Sequence, residues 1–307
     1  MFALIAGPVL AGLIGVPGIF WTMVGLALVG IAITEFVVPR PPALVIHRDT
    51  ETVPSLLRSI AGEPELRRLD FGVFALHAML TASFLRVPAL LRSSLEIDSH
   101  RQWIVYLPVL LVSVAVMVPA IIIAEKYRRM KTVFIVAVAA LGVSQCLFLA
   151  GRGAAWVIAG LTIFFAGFNI MEASLPSLVT KTAPPAAKGT AAGIFSTSQF
   201  LGIFVGGVVG GSIQQMLGGN AVFIASLGLC LVWLLVASTM KQPSYLTTRL
   251  IRIAEGRSFD PGELAAGLRR LPGVAEAVVI SEERLAYLKV DSRLYDAGLA
   301  QAVVADT

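Results

Sequence analysis

Apolar stretches of bilayer-spanning length recur along almost the whole chain, and that one feature excludes most folds. Crossing about 30 Å of hydrocarbon takes roughly 20 residues of helix. Eight such stretches are predicted, at 2–16, 18–38, 69–92, 102–124, 132–150, 154–179, 189–217 and 220–240. Hydrophobic residues make up 57% of the chain and charged ones 14%, where soluble domains carry about a quarter charged. A soluble core cannot hide that much apolar surface, so the chain needs lipid as its solvent. The first stretch is short and starts at Met1 with no basic segment before it. It reads as a helix with a ragged or missing beginning rather than as a signal peptide.

The loops alternate in charge. Arg40, Arg48, Arg58, Arg67 and Arg68 follow the second stretch; Lys126, Arg128, Arg129 and Lys131 follow the fourth; Lys181 and Lys188 follow the sixth. The intervening loops hold Arg92 and Arg101, then Arg152, then no basic residue. The positive-inside rule places the basic set, and with it both termini, in the cytoplasm. The net charge of +5 is a topology signal and not a nucleic-acid footprint. The partners implied are the lipid bilayer and whatever crosses it.

Two regions are not membrane. Residues 39–68 begin with Pro39, Pro41 and Pro42 and continue polar, as a cytoplasmic connector between helix bundles. That divides the chain into 1–38, 39–68, 69–240 and a last unit, 245–307. In this unit Tyr245–Ile253 alternates like a strand and Pro261–Leu271 reads as a helix. Val274–Ile280 and Leu285–Val290 read as strands around a Ser281–Arg284 turn, and Leu294–Val304 as a second helix. The order βαββα is that of a small ferredoxin-like α+β sandwich without its last strand. The fold class expected is an all-α polytopic bundle with this domain at its end.

An ionisable residue within a membrane helix is a functional hypothesis by default. Glu172 is the first candidate: it stands mid-helix, with Asn169 one turn earlier on the same face and Pro176 four residues on. A desolvated carboxylate takes up a proton more readily, as a proton relay requires; a structural hydrogen bond is the competing reading. His77 titrates near neutrality when unperturbed, and reads equally as a neutral contact between helices. Gln199, in the polar run Ser196–Gln199, is expected to line a cavity, and Gln145 to hydrogen-bond across helices. Arg86 lies near the outer end of its helix, where a long basic side chain snorkels; a place on the substrate path is the alternative.

Glu125–Lys131 is a tight charged loop in which Glu125 is placed to pair with Arg128 or Arg129 as a conformational latch. Gly7, Pro8 and Gly12 in the first helix, and Gly193, Gly202, Gly206, Gly207, Gly210 and Gly211 in the seventh, predict close helix packing. No phosphate-binding loop with Lys–Ser/Thr occurs, so neither direct ATP drive nor an enzyme is expected. Cys146 and Cys230 lie in apolar runs, and His47, His77 and His100 in unlike settings, so no cofactor or metal site is expected.

Several segments carry a resemblance. Phe168–Leu178, Gly189–Gly202 and Ala237–Tyr245 resemble the major facilitator superfamily, in its YajR-type drug/proton antiporter branch. Ala6–Gly15 is similar to the antiporter motif of the fifth helix, and Ala124–Lys131 to the degenerate signature loop between helices eight and nine. On that resemblance the eight stretches correspond to helices five to twelve of a twelve-helix fold, with the first four outside this sequence. It implies a bacterial inner-membrane secondary transporter that exports a small molecule in exchange for protons. It also implies that these eight stretches alone do not close the central cavity between two halves. A membrane protein acting through its C-terminal domain, as sensor or assembly partner, is the alternative. Residues 245–307 resemble the ferredoxin-like appendage of that branch, with self-association as one role. They also resemble heavy-metal-associated domains, with Arg257–Ser258–Phe259 standing where those carry Cys-x-x-Cys.

Overall fold

The computed structural model describes residues 2–39, 54–151, 153–184, 187–241, 247–253, 259–281, 284–291 and 293–306. Part of the connector, His47, Arg152, the start of the first predicted strand, Arg257 and Ser258 lie outside that set. The elements run α1 (Phe2–Phe36), α2 (Pro54–Gly62), α3 (Pro64–Leu95), α4 (Trp103–Lys126), α5 (Met130–Ala150), α6 (Ala154–Thr182), α7 (Lys188–Leu217) and α8 (Gly219–Ser238). They are followed by β1 (Thr247–Arg252), α9 (Pro261–Arg269), β2 (Val274–Ile280), β3 (Leu285–Val290) and α10 (Ala297–Asp306).

Seven helices among the described residues are long and apolar enough to cross a membrane: Val9–Phe36 and α3 to α8. The first two of the eight expected stretches correspond to the two helical pieces of α1, which meet at a kink at Gly15, whose φ of 70° and ψ of 172° are not helical. Gly15 takes that backbone without a Cβ clash, and Pro17 two residues later suits the start of a new helix. The piece before Gly15 is shorter than a bilayer is thick.

Helices α3 to α8 pack into one bundle, with α3 against α6, α7 and α8, and α6 against α4 and α5. The core is aromatic where α6 passes through it: Phe164, Phe165 and Phe168 are at most 5% exposed, as is Trp233 of α8. Leu111, Val136, Phe200 and Leu235 are exposed instead, the outward apolar surface that hydrocarbon covers. At Gly202 and Gly206 of α7 an added Cβ would collide with the backbone of Phe74 and Ala78 on α3. These two helices therefore touch backbone to backbone, as predicted for that glycine row. Gln145 also pairs across helices, accepting from Ser83 Oγ at 3.3 Å.

The packing expected of the first glycine group is different. A Cβ at Gly7 would meet nothing within 4 Å, and Gly12 is exposed. Helix α1 meets the bundle through α4 and the 3-10 turn Ser99–Arg101; the side chain of Pro8 lies outside the described set.

The C-terminal part has the predicted βαββα order. Its antiparallel sheet runs β1-β3-β2, with Leu250 opposite Tyr287 and Val278 opposite Tyr287 on the other side. Leu264 and Leu268 of α9 pack on Ala277, Ala286, Leu288 and Val290 of the sheet and on Ala300 of α10. Asp260 caps α9, its Oδ1 accepting from Gly262 N at 2.7 Å and Glu263 N at 3.0 Å.

Candidate functional site

Three helices bring three of the predicted residues to one point. His77 on α3 is buried, with Nδ1 3.1 Å from the Val73 carbonyl one turn earlier. Facing a carbonyl, Nδ1 must carry the proton, which leaves Nε2 as an acceptor. Gln199 of α7 fills that role, its Nε2 donating to His77 Nε2 at 2.9 Å. Glu172 of α6 reaches the same nitrogen, with Oε2 at 3.5 Å. The ring packs edge-on to Phe168, centroids 5.6 Å apart.

Asn169 stands one turn from Glu172, where the helical period puts it, and donates from Nδ2 to Ser113 Oγ of α4 at 2.8 Å. Ser113 in turn donates to the Leu110 carbonyl at 2.8 Å. A cavity of about 600 Å³ opens beside them, lined by Leu80, Thr81, Phe84, Phe165, Asn169 and Glu172 among others. Its wall is aromatic and aliphatic with one carboxylate.

Two expectations change here. The Glu172 side chain is 44% exposed and that of His77 7%, so the histidine is the buried titratable group and Glu172 is the open one, on the cavity wall. The reason is position on the helix: Glu172 faces the opening, while His77 faces the α3–α7 seam. Arg86 is not on the cavity wall. It packs against the start of α8, where a Cβ on Gly219 would meet its guanidinium. Among the described residues its Nε has no hydrogen-bond partner.

The charged turn between α4 and α5 is arranged otherwise than predicted. Glu125 takes Lys181 Nζ of α6 at 2.5 Å, and Arg128 takes Asp291, beyond the end of β3, at 2.8 Å. Arg129 caps α5 through its backbone. A carboxylate pointing along α4 finds the end of α6 beside it, while the turn aims Arg128 away from the bundle. Ser113 and the phenylalanine wall had no signal in the sequence, because a serine or a phenylalanine in an apolar helix reads as packing.

The chain matches the family model of the Major Facilitator Superfamily over residues 1–207 and 69–270, and that of the YajR YAM domain over 251–297. It is 38% identical over 293 residues to the inner membrane transport protein YajR of Escherichia coli, covering 95% of this chain and 64% of that one. It is 29% identical over 210 residues to an uncharacterized transporter of Buchnera aphidicola, covering 67% of this chain and 53% of that one. The chain thus spans less than two thirds of the length of these relatives. With apolar helices of membrane length and a βαββα unit at its end, the chain belongs to the major facilitator superfamily and carries a YajR YAM domain.

Proposed function

We propose that this chain serves a secondary transporter of the bacterial inner membrane, exporting a small molecule in exchange for protons. The observation that carries the reading is the meeting of His77 and Gln199 with Glu172, the carboxylate on the cavity wall. In the neutral state Gln199 donates to His77 Nε2. Protonation places a hydrogen on that nitrogen, so Gln199 must let go or turn its amide, and the Glu172 carboxylate becomes the natural acceptor. One proton thereby strengthens the polar tie of α3 to α6 relative to that of α3 to α7. A site that binds the proton and changes how strongly helices are tied is what ion coupling needs. The apolar, aromatic wall suits a substrate recognised by shape and apolarity.

The proposed orientation has the connector, the α4–α5 turn and the C-terminus in the cytoplasm, and the N-terminus as well where the pieces of α1 before and after Gly15 both cross. Its support is the basic α4–α5 turn, which meets the C-terminal domain on one side of the bundle. Among the described residues β1 and β2 are the edge strands of the sheet, and an edge strand can pair with another chain, which supports self-association through 245–307.

The test uses the full-length protein in proteoliposomes with an imposed pH gradient and ethidium as an aromatic probe. Glu172→Gln is expected to lose at least about ten-fold of the gradient-driven flux, since a neutral amide is a much weaker partner than a carboxylate for the protonated His77 ring. Unchanged gradient-driven flux in that variant sinks the proposal.

A further inference from the structure

The α4–α5 turn holds a residue in a backbone conformation that does not suit it. Arg128 has a φ of 54°, the left-handed region that favours glycine or asparagine. Glycine there would close the turn more easily but would have no side chain. Arg128 Nη2 instead donates to both carboxylate oxygens of Asp291, at 2.8 and 3.0 Å. A two-oxygen contact between opposite charges is among the stronger polar contacts.

The carboxylate is itself held in place. Asp291 N donates to the Gly273 carbonyl at 2.8 Å, and Asp291 Oδ1 accepts from Arg293 N at 3.1 Å. The Arg293 guanidinium reaches back to the Lys126 carbonyl at 3.5 Å, one of the last carbonyls of α4, which have no partner within the helix. So two side chains cross in opposite directions, from the turn to the domain and from the domain to the turn. The same corner ties the bundle: Glu125 holds Lys181 of α6, and Lys131 Nζ donates to the Met240 carbonyl, just past α8, at 2.6 Å.

We infer that the C-terminal domain is a clamp on the α4–α5 turn: docked through Asp291 and Arg293, it holds the left-handed turn and, with it, the inner ends of α4 and α6 in the arrangement seen here. Lys126, Arg129 and Lys131 keep this corner basic, which favours an acidic contact. Because a docked domain binds one arrangement of the turn better than others, it shifts the bundle toward that arrangement. This gives the domain a task that needs neither a metal nor a ligand.

The test is hydrogen exchange, read by mass spectrometry, on the full chain in nanodiscs. Arg128→Gln keeps the domain's own sequence intact, so a change there cannot come from misfolding of a mutated domain. It is expected to speed exchange roughly two- to ten-fold at 284–291, at 124–131 and at 178–182, and to leave the 264–268 core unchanged. Asp291→Asn is expected to reproduce that pattern from the other partner. Arg128→Gly is expected to speed exchange at 284–291 while 124–131 stays protected, since glycine closes the turn unaided. Unchanged exchange at 284–291 in Arg128→Gln overturns the docking. Faster exchange at 284–291 alone in that variant overturns the clamp, because the domain then only rests on the turn. Transport is not measured, so these outcomes stand apart from those of the flux experiment.

Discussion

Replacing Gly202 by alanine is expected to destabilise the bundle far more than the same change at Gly211, nine residues further along α7. A Cβ at Gly202 would stand 2.9 Å from Phe74 Cα, where carbon atoms need about 3.5–4.0 Å. The helices must therefore part by roughly 0.6–1.1 Å near that contact. Gln199 lies one turn before Gly202, and His77 one turn after Phe74. Their 2.9 Å hydrogen bond would lengthen to roughly 3.5–4.0 Å, past the useful range. Overpacking costs about 1–3 kcal/mol, and a buried nitrogen left without its donor about 1–3 kcal/mol more. The sum is roughly 2–6 kcal/mol. At Gly211 an added Cβ meets nothing within 4 Å, so alanine there is expected to gain about 0.5–1 kcal/mol from its better helix propensity. The assay is thermal unfolding of the three proteins in one detergent, side by side. If Gly202→Ala melts with Gly211→Ala, or above it, the backbone contact between α3 and α7 is not the close seam described here.

Three further outcomes follow from individual contacts. Ser113→Ala removes the acceptor of Asn169 Nδ2 and is expected to cost about 1–3 kcal/mol. Asn169→Leu combined with Ser113→Ala should recover part of that loss, which the same melting assay would show. Leu288→Ala empties a fully buried place in the small β-sheet core at about 2–5 kcal/mol, enough to unfold a domain this small. Limited trypsin digestion should then cut within 247–306 and leave α3 to α8 intact. The last concerns pH. Arg128, and then the Arg293 backbone, hold the Asp291 carboxyl below its ordinary value of 3.8. Its contribution to docking is therefore present above the ordinary value and lost only as pH falls through the lowered one. Exchange at 284–291, corrected for its intrinsic pH dependence, is expected to be flat from pH 8 to pH 5. A rise in corrected exchange already by pH 6 contradicts that assignment.

The segments α3 to α8 and the βαββα order were legible in the sequence, because each is a local pattern. A run of apolar residues bounded by charges needs no partner to be seen, and alternation at period two marks Val274–Ile280 and Leu285–Val290 as strands. Glu172, Asn169 and Gln199 also stood out singly, as polar groups in apolar helices. What they touch was not legible. In lipid the face of a helix turned to its neighbours and the face turned to hydrocarbon are both apolar, so periodicity does not say which side packs. Hence the chain order hid that His77 meets Gln199, 122 residues later, and that Asn169 meets Ser113, 56 residues earlier. The same holds for charge. Glu125 and Arg128 are neighbours in the sequence and invite pairing, yet the end of α4 brings Lys181 closer, and the left-handed turn sends Arg128 to Asp291. Composition and period determined that this chain enters a membrane as a bundle with an appended α+β domain. Only the packing of α3 against α6 and α7, and of the domain against the α4–α5 turn, decided which polar groups meet, because those meetings depend on helix rotation and depth that no local pattern encodes.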